Sequence, residues 1–185
     1  MTATHVVVDG SNIATEGRST PSLRQLEEAV ECFQREHPHD RVTVVVDATF
    51  GHRIDPSERP RFEQALAEGR MLTPPAGAIG RGDAFILQIA DKAGADVFSN
   101  DSFQEFHGQY KWLFDEGRLI GGKPVDHVGW VFVLRAPVRG PASRRSIKEA
   151  RGAGGGRASR SARTPAAPDT APDTSPAAAP ARGGR

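Results

Sequence analysis

An α/β fold, three layers deep around a mostly parallel central sheet of about five strands, follows from three observations on this sequence. Short β-rich runs alternate with helical patterns in the order βαβαβαβαβ. The first run, HVVVD at His5–Asp9, is apolar at every interior position, which marks a strand covered on both faces as in a parallel sheet. Two of the runs end in an aspartate, Asp9 and Asp47, at the strand ends where open α/β sheets form their ligand crevices.

The elements follow in order. Asp9-Gly10 is also a hairpin signal, but the next β-rich run starts only at Arg41 and a helical stretch intervenes. That stretch opens at Thr20-Pro21, read as an N-cap with proline at the first helical position. Leu23, Leu26, Val30 and Phe33 recur at helical spacing opposite Arg24, Glu27, Glu28 and Glu31, so the helix is amphipathic. HPHD at 37–40 breaks it, and its histidines read as solvent-exposed. Arg41–Asp47 is the second strand. A helix follows that starts at Asp55-Pro56 or beyond Pro60, buries Phe62, Ala65 and Leu66, and is capped by Gly69. A short strand over Arg70–Thr73 leads into the loop PPAGAIGRG, and Asp83 opens a helix with Phe85, Ile86, Ile89 and Ala90 on its apolar side. The fourth strand is Ala95–Ser99. Phe103, Phe106, Tyr110, Leu113 and Phe114 suggest a further helix, split at Gly108, and Trp130–Leu134 is the last strand.

From Ala136 the periodicity stops. Residues 136–185 are rich in Ala, Pro, Gly, Arg, Ser and Thr, with APDT repeated at 167–170 and 171–174. Such a chain buries too little apolar surface to order itself, and Ser143–Arg151 is given a transient helix at most. The expected organisation is one domain over 1–135 and a disordered basic tail over 136–185. The net charge of +1 hides a split. Residues 1–135 carry 14 Lys and Arg against 20 Asp and Glu, a net −6; residues 136–185 carry 10 against 3, a net +7.

One cysteine, Cys32, excludes an internal disulfide and any cysteine-based zinc finger. No apolar run approaches the roughly 20 residues of a membrane span, and MTATH lacks the basic and apolar regions of a signal peptide. The expectation is a soluble, cytoplasmic protein with no membrane partner.

Asp9, Asp47, Asp83 and Asp101 all fall at the C-terminal end of a strand or the start of the helix after it, and Glu105 lies one helical turn beyond Asp101. In a parallel sheet those ends share one edge. Asp83 and Asp101 singly could be helix caps, but capping does not explain acids at the ends of two buried strands. Close carboxylates repel by up to about 4 kcal/mol per pair at an effective dielectric of 20, so a divalent cation is the expected occupant. An all-oxygen set favours Mg²⁺ or Mn²⁺ over zinc. There is no GxGxxG after the first strand, no Walker A sequence and no GxSxG elbow.

VVVDGSN at 6–12, GDAFILQIA at 82–90 and SNDSFQEF at 99–106 resemble the NYN branch of the PIN-like ribonucleases, and within it the catalytic domain of the Regnase (MCPIP-type) enzymes. The resemblance covers about residues 5–135 and implies a Rossmann-like PIN fold and a metal-dependent endoribonuclease. Asp9, Asp83, Asp101 and Glu105 would then hold Mg²⁺ or Mn²⁺ directly or through water, and Asn12 would position the metal shell or the scissile phosphate. Two departures stand out: these enzymes commonly have two adjacent acids where this chain has Gly82-Asp83, and an aspartate where it has Glu105. Asp47 matches no acid of that branch.

The reading is thus hydrolysis of RNA, with a metal-bound water attacking the phosphodiester in line to leave 5′-phosphate and 3′-hydroxyl ends. Arg81, Lys111, Arg144 and Arg145 are the candidate RNA contacts. A catalytically degenerate RNA-binding or interaction module and a nuclease acting on DNA or flap structures stay open as alternatives. The oligomeric state, a homodimer among the options, stays open too.

Overall fold

The sheet is built outward from β1 (His5–Asp9). Val6, Val7 and Val8 are wholly buried, and their side chains alternate between two helical layers as the period of two requires. Val6 and Val8 pack with Leu26, Ala29 and Phe33 of α2 (Leu23–Glu36), whereas Val7 packs with Ile86, Leu87 and Ala90 of α5 (Gly82–Ala93). The computed structural model describes residues 4–75 and 82–155.

Six strands run in the order β3-β2-β1-β4-β5-β6, where β2 is Arg41–Val45, β3 Met71–Leu72, β4 Asp96–Phe98, β5 Leu119–Val125 and β6 Gly129–Arg135. The first five are parallel, and β6 returns antiparallel on β5. The chain winds from β1 toward β3, then crosses to place β4 on the other side of β1. The C-terminal ends of β1 and β4 therefore meet at a topological switch point, where open α/β sheets bind their ligands.

The expected α/β class, layers and five strand locations hold, with narrower bounds for the second, third and fourth strands; β2 stops at Val45, so Asp47 falls in the loop beyond it rather than at the strand end. Several local expectations change. α2 is capped by Ser22, whose Oγ accepts from the Gln25 N–H at 3.3 Å. Glu58 adds to it from 35 residues away: its carboxylate accepts the N–H groups of Leu23 and Arg24 at 2.9 and 3.0 Å, donors otherwise orphaned in a first turn. The following helix is split into a 3₁₀ turn, Pro56–Glu58, and α4, Arg59–Ala67. His37 and His39 are not in solvent but stack on Phe33 at 5.2 and 5.6 Å. Short helices α1 (Gly10–Thr15) and α3 (Phe50–Arg53) sit where the sequence shows only loop.

The stretch 103–114, expected as a helix, holds two 3₁₀ turns, Gln104–Phe106 and Lys111–Phe114. Phe103 stands before the first at φ 49°, a left-handed setting that a bulky residue enters only when its surroundings hold it there.

β5 escapes a pattern search because its centre is Gly121-Gly122. Neither position has room for a side chain. A Cβ on Gly121 would run into Arg135, and one on Gly122 would lie 2.9 Å from both Phe98 and Phe132.

The last difference is at the C-terminus, where α6 spans Pro141–Gly155. It docks through polar contacts rather than an apolar stripe, which is why composition argued against it. Ser143 Oγ lies 2.6 Å from His107 Nδ1, with both residues buried. The Gly108 N–H donates to Ser146 Oγ at 2.9 Å, and a Cβ on Gly108 would collide with the α6 backbone at Ser146. No described helix is long and apolar enough to cross a membrane.

Candidate functional site

At the end of β1 the chain turns directly into α1, with Asp9 as its cap: the Asn12 N–H donates to Asp9 Oδ1 at 3.2 Å. Gly10 permits the turn, since a Cβ there would lie 2.6 Å from Val46 Cγ1 and 2.9 Å from the Val45 carbonyl. The second carboxylate oxygen reaches across the switch point, where Ser99 Oγ donates to Asp9 Oδ2 at 2.7 Å. Ser99 Oγ in turn accepts the Asp101 N–H at 3.0 Å, so one hydroxyl ties the first acid to the backbone of another.

Asp9 is 4% exposed. Burial pushes its carboxyl up from the ordinary 3.8 to about 7, against the opposing bonds from Ser99 and Asn12 and with the charges of Asp83 and Asp47 adding to the rise. Three acids, from the end of β1, the loop just after β2 and the start of α5, thus act on one spot.

Asp47 is held by its backbone, whose N–H donates to Ser11 Oγ at 2.8 Å. Its side chain lies over the first residue of α5: a Cβ built on Gly82 would be 2.6 Å from Asp47 Oδ1. The space that a larger residue at 82 would fill is therefore taken by a carboxylate from the loop two residues beyond β2.

Asp83 also lines a cleft of about 250 Å³ with Asp101, Phe103, Gln104, Glu105 and Ala142. Asp101 is shaped by an Asx turn, its Oδ1 accepting the Phe103 N–H at 2.6 Å. Asp101 and Glu105 share this cleft, although the turn between them is 3₁₀ rather than α-helical.

Asn12 is committed to the scaffold through its oxygen, since the Asn100 N–H donates to Asn12 Oδ1 at 2.9 Å. Asn100 then pairs with Gly122 as a strand residue would, donating from Nδ2 to its carbonyl at 2.7 Å and accepting its N–H at 3.0 Å. The same Nδ2 donates to Glu16 Oε2 at 2.9 Å. Behind Asp101, Arg135 donates to the carbonyls of Ser99 and Asp101 at 2.8 and 3.1 Å. Burial lowers its guanidinium, and the charges of Asp101 and Glu16 pull the other way.

Among the described residues no three Asp, Glu, His or Cys side chains are gathered closely enough to hold a metal ion.

A family profile described as Zc3h12a-like Ribonuclease NYN domain matches residues 2–121. The chain belongs to this family. Two structures of the nuclear proteinaceous RNase P 2 of Arabidopsis thaliana are also similar. One matches at 18% identity with TM-score 0.54 over 74% of this chain and 31% of that one; the other at 19% and 0.55 over 72% and 30%. At such identity the likeness shows the fold alone, and this chain spans about three-tenths of those proteins.

In this NYN ribonuclease domain, the structure brings Asp47 and Asp83 within electrostatic range of Asp9 and sets Asp83, Asp101 and Glu105 around one cleft. Lys111 is exposed in a neighbouring cleft, and Arg144 and Arg145 are exposed on α6. Arg81 lies outside the described residues. Sequence reasoning missed Ser99, Asn100 and Arg135. The first two were visible as part of SND, where only the acid carried a chemical reading; Arg135 carried no signal at all.

Proposed function

We propose that this NYN ribonuclease domain is a metal-dependent endoribonuclease acting through Mg²⁺ or Mn²⁺ at the Asp9–Asp47–Asp83–Asp101–Glu105 edge. The observation that carries this reading is Asp9: a buried carboxyl, raised by burial and by two neighbouring acids, at the switch point of a fold whose family is named for RNA cleavage.

The donor set fits a hard divalent cation. All the groups are oxygens, and the negative field that lifts Asp9 is what a cation relieves. Mg²⁺ is characteristically held by one or two carboxylates, waters and substrate phosphate, so it does not require three protein acids in one place. Asp9 and Asp83 would be the direct ligands, with Asp47, Asp101 and Glu105 acting through water. A bound ion would polarise the phosphate and lower the pKa of an attacking water.

The protein's own residues do the rest. Ser99 and Asn12 fix the two oxygens of Asp9, and a carboxylate of the cluster not bound directly to the ion would take the proton of the attacking water. Glu105 and Asp101 line the same cleft as Asp83 and would hold ordered water between themselves and the ion. Water oxygen forms the new bond to phosphorus, the P–O3′ bond breaks, and the leaving 3′-oxygen takes a proton, which gives 5′-phosphate and 3′-hydroxyl ends. Asn12 serves as a positioning residue through Asn100, rather than as a ligand.

The test is incubation of labelled single-stranded RNA and DNA with the protein in Mg²⁺, Mn²⁺ or EDTA. RNA cleavage that needs the ion and disappears in Asp9→Asn supports the reading. RNA bound but uncut under every ion would make this a degenerate binding module, for which the glycine at 82 is the favouring observation. Preference for DNA would move the substrate class.

A further inference from the structure

Between the two 3₁₀ turns and α6 lies a second cleft, of about 530 Å³, whose lining includes His107, Lys111, Phe114, Arg139, Ile147 and Arg151. Three of these are cations and none is an acid, in a domain whose residues 1–135 carry a net −6. Its floor is apolar. The Arg139 guanidinium sits 4.3 Å from the Phe114 ring centroid, which orients it without neutralising it. His107 is buried beneath, its Nδ1 2.6 Å from Ser143 Oγ of α6.

The cleft exists because α6 is docked. Helix α6 also reaches the acid site: Ala142 lines the cleft of Asp83 and Asp101, while Ile147, Ala150 and Arg151 line the basic one. From residue 142 to residues 147–151 the helix rises roughly 8–14 Å at 1.5 Å per residue. A stacked strand advances about 3.4 Å per nucleotide, so about two to four nucleotides span the distance.

We propose that this basic cleft is a binding subsite for single-stranded RNA adjoining the scissile phosphate, with Lys111, Arg139 and Arg151 pairing backbone phosphates and Ile147, beside the Arg139–Phe114 stack, receiving a base. The proposal rests on the ribonuclease reading and adds to it where the strand runs. A polyanion is the occupant the charge calls for, and cations over an apolar floor suit phosphates with planar bases better than a lone anion. The outward cations of α6, Arg144, Arg145 and Lys148, face solvent and contribute only general attraction.

The experiment compares two triple variants of the full chain, Lys111→Ala/Arg139→Ala/Arg151→Ala and Arg144→Ala/Arg145→Ala/Lys148→Ala, each removing three charges. Binding of a fluorescent single-stranded RNA is followed by anisotropy in EDTA across a salt series. Each single-strand phosphate contact contributes about 0.7 to the slope of log affinity against log salt. The cleft variant should lose about tenfold or more in affinity and about 2 in slope, the outward variant markedly less. With Mg²⁺ or Mn²⁺, the cleft variant should raise KM and leave kcat within a few-fold.

Equal losses in the two variants would overturn the proposal in favour of diffuse charge, and no loss in the cleft variant would overturn it outright. Competition by inorganic phosphate or polyglutamate as effective as by unlabelled RNA would make it a general anion site and equally overturn it. The ribonuclease reading fails separately: a wild type that binds through the cleft but cuts nothing keeps the subsite and loses the activity.

Discussion

Replacing Asp9 by asparagine should stabilise the metal-free protein at alkaline pH, although Asp9 is the residue on which the proposed activity most depends. In the fold its carboxyl titrates near 7 rather than 3.8, so the folded state prefers the neutral form by about 4 kcal/mol at 1.36 kcal/mol per pH unit. Asp9 is 4% exposed, so solvent screening does little to reduce this. The sign follows from proton uptake. Below pH 4 both states hold the proton and Asp9 has no effect on stability. From about pH 4 to pH 7 the unfolded carboxyl ionises while the folded one stays protonated, so stability falls as pH rises and levels off above 7. The substituted asparagine cannot ionise, yet its amide can still accept from Asn12 and face the Ser99 hydroxyl. The asparagine variant should therefore exceed the wild type by about 4 kcal/mol at pH 8, on the order of 10 °C in Tm for a domain of this size. The gap should close to a fraction of that by pH 4. Thermal and urea unfolding in EDTA at the two pH values measure it directly. Adding Mn²⁺ at tenfold its Kd should return about 1.4 kcal/mol to the wild type alone. A variant no more stable than the wild type at pH 8, or a gap that ignores pH, would refute the account of Asp9 as a buried acid strained by its neighbours.

Gly82→Ala should leave the fold within about 1 kcal/mol of the wild type, since alanine suits a helix better than glycine, but its Cβ displaces the Asp47 carboxylate. The stabilisation conferred by Mn²⁺ should shrink; an unchanged Mn²⁺ titration would show that Asp47 has no part in the site. Gly108→Val places a side chain against the α6 backbone and should cost about 1–3 kcal/mol, seen as lost hydrogen-exchange protection over 141–151. Protection equal to the wild type's would mean that α6 is held by other contacts. Glu58→Gln weakens the charged cap on α2 and should lower stability by about 1 kcal/mol, measurable by urea unfolding, with RNA cleavage unaffected; a larger fall in activity than in stability would give Glu58 a role beyond the cap.

The layers, the core and the acids were legible because each rests on a short-range pattern. Val6–Val8 announce a strand buried on both faces, and an aspartate at a strand end keeps its place in the fold whatever surrounds it. What was lost depended on partners distant in sequence. The glycines of β5 look like a loop until Asn100, Arg135 and Phe98 are seen to occupy the space above them. The α6 helix looks solvated because its docking face is two serines and an isoleucine, and the hydroxyls of Ser143 and Ser146 find their partners 36 and 38 residues back at His107 and Gly108. Glu58 likewise caps a helix that had ended before it was reached. The run from Phe103 to Phe114 kept a helical rhythm in its apolar residues, but the Asx turn at Asp101 and the left-handed Phe103 redirect the backbone before a helix can form.

The family profile stops at residue 121, inside β5, whereas β6 carries Phe132 edge-on to Phe33 and Phe98 at 5.3 and 5.5 Å and the buried Trp130. A segment cut at that limit would lose the lid of its aromatic core and residues 122–125 of β5, and would leave the remaining Leu119–Gly121 with unpaired peptide groups, open to pairing with any passing strand. For cloning, grafting or exchange between proteins, the transferable module accordingly extends through the hairpin and α6. A fragment drawn from sequence likeness alone should be recovered as aggregate rather than as a weak enzyme.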